Sequence, residues 1–348
     1  MKIEAIDAVF PSRRVSNGEV LDLIRHHSHG HFQGDLDETL QRIERGLAHS
    51  GAAERRWAAD GERPIDFITR AVHGALRKAQ VTPDEVDLLI YVGVGKGFME
   101  PGQSYLVAHA LGWTRTECFD ILDACMSYTR ALQMAESLLS LGRYRRILVV
   151  NGELLAGVAG GPVFPANFRL TSAAQLKSTF PSFTIGCAAT ATLLVADPER
   201  RWRWRFASRP LLADLCTIPS AGWADYAAAS PRTGANGIYR FTSFGKELHE
   251  AAREPLLQLF HEVVEDPAAV KLIFSHASSL REWEGFAEAV GMRDRLCCVY
   301  RDYGNLVSAS VPAALALAIE GGRVQRGDSL LGWVGSAGMS FAAYSFTY

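Results

Sequence analysis

The sequence predicts an α/β protein built from two copies of a strand–helix–strand–helix–strand unit. Element order repeats between the halves, the spacing of landmark residues repeats with it, and the strand-like runs are continuous in Val, Ile and Leu. Continuous rather than alternating runs mark strands buried on both faces, as in parallel sheets covered by helices.

In the first copy, DLLIYVGVG (87–95) is a strand followed by a glycine-rich loop, and a helix then ends at Leu111-Gly112. An apolar strand (Cys118 to Leu122) follows, Cys125 opens a helix ending at Gly142-Arg143, and ILVVNGE (147–153) is another buried strand. In the second copy KLIFSH (271–276) is a strand, and a helix ends at Val290-Gly291. LCCVY (296–300) is the next strand, Asn305 precedes a helix ending at Gly322-Arg323, and LLGWVG (330–335) closes the unit. From Gly112 to Cys125 is 13 positions and from Gly291 to Asn305 is 14; Cys125 to Gly142 and Asn305 to Gly322 are 17 each. A pseudo-twofold axis relating the copies brings Cys125 and Asn305 together, each at the start of an equivalent helix. His276 lies at the C-terminal end of a strand, where open α/β sheets meet their ligands.

Composition sets the class. A chain of 348 residues is long enough for two ordinary halves, and 48% hydrophobic residues give it a sizeable core. Lys+Arg 36 against Asp+Glu 38 leaves a net charge of -2, so no nucleic-acid or membrane partner is expected. Six scattered cysteines resemble no disulfide framework and imply a reducing, cytoplasmic compartment. There is neither a basic-flanked apolar leader nor a long apolar span, so no signal peptide or membrane helix is expected.

Cys125 is the candidate nucleophile. The first turn of a helix leaves backbone N–H groups unpaired at the positive end of its dipole, which favours a thiolate there and can later stabilise an oxyanion.

This duplicated layout resembles the thiolase fold. Its details resemble the ketoacyl-ACP synthase III branch, including related enzymes that join two acyl chains head to head. AVFPSRRVSNGEVLDLI is similar to that family's opening strand, proline turn and first helix, and SGAAERRWA (50–58) to the segment before its first core helix. DACMSYTRAL holds the nucleophile cysteine, SHASSLREW the histidine and YGNLVSASVPAAL the asparagine. The resemblance implies two pseudo-symmetric βαβαβαββ halves in a five-layered αβαβα arrangement. Residues 1–190 would carry the nucleophile, and residues 191–348 the histidine and asparagine.

Carried over, Cys125 would be acylated, while His276 and Asn305 would bind the thioester carbonyl of a second substrate. Two N–H donors there stabilise an enolate. Asn cannot draw the proton from His as an acid would, so the set favours carbon–carbon bond formation over simple acyl transfer. The backbone of Cys125 and Gly338 would supply oxyanion contacts. Glu100, before Pro101, resembles the catalytic-base glutamate of the head-to-head branch, where its loop enters the partner subunit's site; a solvated loop glutamate is the alternative. Arg281 keeps the basic position associated with docking a carrier protein.

The chain also departs from the family. Ala277-Ser278-Ser279 stands where Gln-Ala-Asn follows the histidine, and Ile185-Gly186-Cys187-Ala188-Ala189 replaces a Gly-Asp-Gly-Ala-Gly motif. Gly335-Ser336-Ala337-Gly338 replaces a C-terminal triple glycine. These changes suggest a reshaped acyl pocket and a specialised pathway. The segment 155–172 fits no regular element and would either shape an acyl tunnel or dimer interface or lie on the surface.

Two runs tempt other readings. HHSHGH (26–31), with Asp35, Asp37 and Glu38 behind it, lacks the ordered spacing of a metal site and reads as a polar connection after the first helix. ERRWRWRF (199–206) alternates Arg with aromatics, which predicts an edge or inter-half strand rather than a nucleic-acid platform. Cys118, Cys297 and Cys298 read as core. The expectation is therefore a cytoplasmic homodimer that loads an acyl group from CoA or a carrier protein onto Cys125 and condenses it with a second thioester. It would need no metal or redox cofactor. Its rivals are an acyltransferase to an amine or hydroxyl, with His276 as base, and a non-catalytic subunit completing a heterodimer.

Overall fold

Two five-stranded sheets carry the repeat in the computed structural model, which describes residues 1–156, 161–200, 202–228 and 230–348. The chain begins with β1 (Lys2–Val9), β2 (Arg13–Ser16), α1 (Asn17–Ser28), α2 (Leu36–Ser50), β3 (Glu54–Trp57) and α3 (Pro64–Ala79). The first copy of the unit follows as β4 (Leu88–Val92), α4 (Gln103–Ala110), β5 (Glu117–Ile121), α5 (Ser127–Ser140) and β6 (Arg146–Glu153). A long excursion containing α6 (Leu176–Thr179) leads to β7 (Ala188–Val195). Next come β8 (Arg203–Ser208), β9 (Cys216–Thr217), β10 (Thr242–Ser243) and α7 (Gly245–Val263). The second copy is β11 (Val270–Ser275), α8 (Leu280–Ala289), β12 (Leu296–Cys297), α9 (Tyr300–Tyr303), α10 (Ser310–Glu320) and β13 (Ser329–Ser336), and β14 (Ser340–Thr347) ends the chain.

Strand orders β1-β7-β6-β4-β5 and β8-β14-β13-β11-β12 correspond position by position. In each sheet four strands run in one direction, three of them adjacent and joined by helical crossovers, and one, β7 or β14, runs against them. The sheets are thus mixed rather than wholly parallel. The three residues between β13 and β14 are too few for a crossover and force a hairpin. Helices α3 and α4 cover the outer face of the first sheet, and α7 and α8 pack against the second; α10 touches β1, β7 and β11. The five-layered αβαβα arrangement follows, with α5 and α10 in the middle.

Several expectations change. The division at 190 falls inside β7, which is paired along its whole length with β1 and β6, so the first sheet continues to Val195. The strand expected over LCCVY (296–300) stops at Cys297. Beyond it the Arg301 carbonyl accepts from Ala53 N and the Tyr300 hydroxyl reaches Ser50 Oγ at 3.0 Å, so backbone and side chain turn away from the sheet. His26 and His27 lie in the last turn of α1 rather than in a connection after it. No group of three or more metal-ligating side chains is assembled among the described residues.

The Arg/Trp run does form an edge strand, β8; Arg201 lies outside the described residues. Trp202 stacks on Phe346 with centroids 4.2 Å apart, and Trp204 stacks on Tyr344 at 4.8 Å. Trp204 Nε1 also donates to Glu136 of α5 at 2.6 Å, so this edge is clamped to the other half. In the 155–172 segment, residues 157–160 lie outside the described residues; Val163, Phe168 and Leu170 are buried in the core. The two ends of the chain meet through Arg326. Its guanidinium donates to the carbonyls of Ile3 and Glu4 at 2.6 and 2.7 Å and lies 4.1 Å from the Tyr348 ring centroid.

Close packing within the second sheet makes a direct prediction. A Cβ on Gly332 would lie 2.0 Å from the ring of its cross-strand partner Tyr344, which is fully buried. Gly332→Ala should therefore destabilise the fold by about 3 kcal/mol, measured as a lower denaturant midpoint at unchanged m-value.

Candidate active site

The chain leaves β5 and enters α5 through a tight turn, Ala124–Met126, in which Ala124 has φ 45°. A second such turn, Val307–Ala309, leads into α10, and Val307 has φ 51°. Left-handed backbone is uncommon for alanine and a marked outlier for a β-branched residue. Ser127 Oγ donates to the Ala124 carbonyl at 2.7 Å, and Ser310 Oγ to the Val307 carbonyl at 2.8 Å. The two elbows pack against each other. They correct the residue correspondence read from spacing: the counterpart of Cys125 is Ser308, and Asn305 stands three residues earlier.

Ser336, at the end of β13, pins the first elbow from the opposite half. Its Oγ accepts from Met126 N at 3.2 Å and donates to the Asp123 carbonyl at 3.3 Å. This serine, a departure from the family's glycine, ties the two sheets together beside the nucleophile. Burial pushes the Cys125 thiol well above its ordinary range, and Cys216 and Glu153 push it further. Contact with Ser336 opposes them without prevailing. The expectation of a favoured thiolate is therefore corrected: desolvation outweighs the helix terminus, and the resting group is a thiol.

His276 continues β11, with its N–H donating to the Trp333 carbonyl at 3.2 Å. Burial, and after it repulsion from His249, push the imidazole down to about 3. It is neutral at neutral pH. Ser310 Oγ lies 3.3 Å from its Nδ1. When the Ser310 hydroxyl points at Val307, Nδ1 carries the ring proton and Nε2 accepts; when it turns to Nδ1, Nε2–H becomes a donor.

Asn305 is held by its backbone. Its N–H donates to the Thr184 carbonyl at 2.8 Å, and Gly186 N donates to its carbonyl at 3.0 Å. A Cβ on Gly186 would stand 1.8 Å from the Tyr303 carbonyl oxygen, which explains why glycine survives in the altered Ile185-Gly186-Cys187 motif. Asn305 Oδ1 accepts from Val307 N at 2.9 Å, so the amide places its NH2 toward the cavity as a donor.

Cys125, His276 and Asn305 line one cavity of about 100 Å³. Its wall includes Ile185, Leu248, Leu256, Trp283, Phe286 and Met339, which suit an acyl chain. It adjoins a groove of about 900 Å³ that shares Pro181, Gly245, His249, Ser278 and Phe286 with it. Gly335, Ser336 and Ala337 line the cavity, whereas Gly338, with φ 114°, does not. Glu100 is exposed on the loop between β4 and α4 and lies outside the cavity lining. Arg281 is exposed in the first turn of α8.

Sequence reasoning missed the supporting groups Ser308, Ser310 and Glu153, along with His249 and Cys216 of the cavity wall. Ser278 and Ser336 were visible there only as departures from a motif.

Residues 264–348 match the family described as 3-oxoacyl-[acyl-carrier-protein (ACP)] synthase III C terminal, and residues 119–160 match 3-oxoacyl-[acyl-carrier-protein (ACP)] synthase III. The chain is 29% identical over 304 residues to a beta-ketoacyl-[acyl-carrier-protein] synthase III of Symbiobacterium thermophilum, covering 86% of this chain and 88% of that one. It is 26% identical over 321 residues to the same enzyme of Aquifex aeolicus, covering 90% and 94%. This chain is similar to the ketoacyl-ACP synthase III-like family.

The fold agrees. A structure of Xanthomonas campestris OleA with bound lauric acid and lauroyl-CoA matches with a TM-score of 0.83 at 17% identity, covering 99% of this chain and 98% of that one. The Aquifex aeolicus 3-oxoacyl-[acyl-carrier-protein] synthase III structure matches with a TM-score of 0.81 at 23% identity, covering 100% and 99%. As a ketoacyl-ACP synthase III-like protein the chain is an acyltransferase with the thiolase fold. No helix among its described residues is long and apolar enough to cross a membrane.

The raised thiol sets a pH dependence. Because Cys125 titrates well above pH 9, its thiolate fraction at pH 7 is small and rises about tenfold per pH unit. Its alkylation by iodoacetamide, followed by peptide mass spectrometry, should climb steadily from pH 7 to pH 9. A plateau below pH 8 would contradict a thiol governed by burial.

Proposed function

We propose that this protein is a condensing enzyme that works through an acyl-cysteine. An acyl thioester on CoA or a carrier protein loads Cys125, and a second thioester then attacks as a carbon nucleophile. The observation that carries this reading is the meeting of Cys125, His276 and the Asn305 amide donor in one apolar-walled cavity.

In loading, the Cys125 proton must leave as sulfur attacks the thioester carbonyl, because the resting group is a thiol. His276 Nε2, in the tautomer that accepts, is the group to take it and return it to the departing thiol. The backbone N–H of Cys125 would hold the oxyanion, a role the resemblance shared with Gly338, which lies outside the cavity lining. In condensation, Asn305 Nδ2 and His276 Nε2–H, in the other tautomer, receive the developing enolate oxygen. Attack on the acyl carbon forms the carbon–carbon bond and breaks the bond to sulfur.

The acyltransferase rival asks His276 to serve as the acceptor's base. Asn305 is a neutral amide whose Oδ1 is spent on Val307 N, so it gives such a base no anionic partner to hold its proton. A silent partner subunit has no chemical use for all three groups. The altered segments Ala277-Ser278-Ser279 and Gly335-Ser336-Ala337-Gly338 support a specialised pathway rather than housekeeping fatty-acid synthesis. Arg281 would contribute to the docking of a carrier protein. The chemistry requires no metal or redox cofactor.

A cytoplasmic homodimer is the setting this reading implies. All six cysteines are free. Strand β5 is a sheet edge, and Phe98, Met99, Tyr105 and Leu122 are exposed hydrophobics in the loops and helix around it. An uncovered edge beside apolar side chains is what a second copy would cover. Glu100 shares the loop of Phe98 and Met99, so it would reach a reaction centre only across such an interface.

Intact-protein mass spectrometry after incubation with a panel of acyl-CoAs should give an adduct on the wild type and none on Cys125→Ala. Asn305→Asp should still load but condense about 100-fold more slowly, having lost a donor to the enolate oxygen. Faster transfer to amines in Asn305→Asp would favour the acyltransferase reading. Leu122→Asp should halve the mass found by light scattering, and an unchanged dimer would remove the β5 edge from the interface.

A further inference from the structure

The cavity holds a second imidazole that the chemistry above leaves idle. His249 lies on α7 and lines both the inner cavity and the groove beside it. Its Nε2 is 3.0 Å from Ser278 Oγ, and Trp283 Nε1 donates to that same oxygen at 3.1 Å. The Gly245 backbone, one helical turn back, favours the charged form of the ring. In the tautomer whose Nε2 carries the lone pair, the Ser278 hydroxyl donates to it while accepting from Trp283. Indole N–H, serine O–H and imidazole form a directed chain that ends on a base.

The two histidines are set up differently. Burial and His249 together keep His276 neutral. Burial lowers His249 as well, but Glu282 and the Gly245 carbonyl pull it back up. His249 lines the groove as well as the cavity, whereas His276 lines only the cavity, so a substrate entering by the groove meets His249 first. Ser278 and His249 are both only part-buried, so a substrate entering from the groove can touch them.

We propose that His249, with Ser278 as the hydroxyl before it, is the base that takes a proton from the second substrate. This rests on the condensing reading above and names the class of that substrate: an acyl thioester that surrenders an α-proton rather than CO2. The step balances. The α-C–H bond breaks and its proton passes to Ser278 Oγ as the Ser278 proton moves to His249 Nε2. The C–H electron pair becomes the enolate held by Asn305 and His276, and the enolate displaces the Cys125 thiolate from the acyl carbon. The thiolate recovers a proton from His249 by the same path. Malonyl thioesters, which lose CO2, need no such base.

The test separates the half-reactions. Full-length protein is loaded with decanoyl-CoA, the adduct is followed by intact mass, and the loaded enzyme is chased with decanoyl-CoA or with malonyl-CoA. His249→Gln should load as wild type does, which also shows that it folds. Its decanoyl chase should slow about 100-fold, the range expected for loss of a general base. A malonyl chase, if the wild type supports one, should be unaffected. Ser278→Ala should show a smaller loss with the same selectivity, and imidazole should restore the chase in His249→Ala.

The proposal is overturned if His249→Gln chases normally, if it fails to load, or if it loses both chases equally. A wild type that condenses only with malonyl-CoA overturns it too. So does loss of the decanoyl chase in Glu100→Gln alone. A wild type that never loads Cys125 refutes the condensing reading and this proposal together, whereas normal loading with a normal His249→Gln chase refutes this proposal only.

Discussion

A single buried carboxylate holds the working parts in register. Glu153, the last residue of β6, is fully buried and accepts from Val94 N at 3.1 Å, Gly95 N at 2.9 Å, Ser308 N at 3.4 Å and Ser308 Oγ at 2.5 Å. Burial raises its pKa, and the four donors oppose that cost. The donors come from both halves, so the loop after β4 and the elbow before α10 share one anchor. Asn151 Nδ2 adds a bond to Ser308 Oγ at 2.8 Å. Gly93, at φ 117°, could carry no side chain there, since a Cβ would fall 2.4 Å from Glu153 Oε1. Once Ser308 is fixed, Val307 and Ser310 on either side of it are fixed, and through them Asn305 and His276.

The repeat was legible because buried parallel strands leave a strong trace: the runs around Leu88–Val92, Arg146–Glu153 and Val270–Ser275 need few words to find. Cys125, His276 and Asn305 were legible because strand ends and helix starts announce themselves. What stayed hidden depends on contacts between distant residues. Nothing local marks Ser308 rather than Asn305 as the counterpart of Cys125, since that equivalence lives in backbone φ at Ala124 and Val307. Nor does a helix start reveal whether burial or its dipole governs a thiol. The short β12 was lost to a bond between the Tyr300 hydroxyl and Ser50, 250 positions apart.

The cavity itself is formally neutral. None of its lining residues is Asp, Glu, Lys or Arg, its two cysteines are thiols pushed above their ordinary range, and both of its histidines are pushed below theirs. Charge therefore appears only as protons move during reaction, in a setting where donors such as the Asn305 amide act at full strength. The tautomers of His276 and His249 matter more here than any standing ion pair.

Arg326 holding the carbonyls of Ile3 and Glu4 while lying over the Tyr348 ring brings the first and last strands of the chain to the same spot. The order in which the halves are written is then incidental to the architecture. A short peptide joining Tyr348 to Met1, with new termini opened between β7 and β8, would give a circular permutant whose sheets, elbows and seam are those of the parent. Each half would keep its own sheet, and the cavity would still be assembled from both.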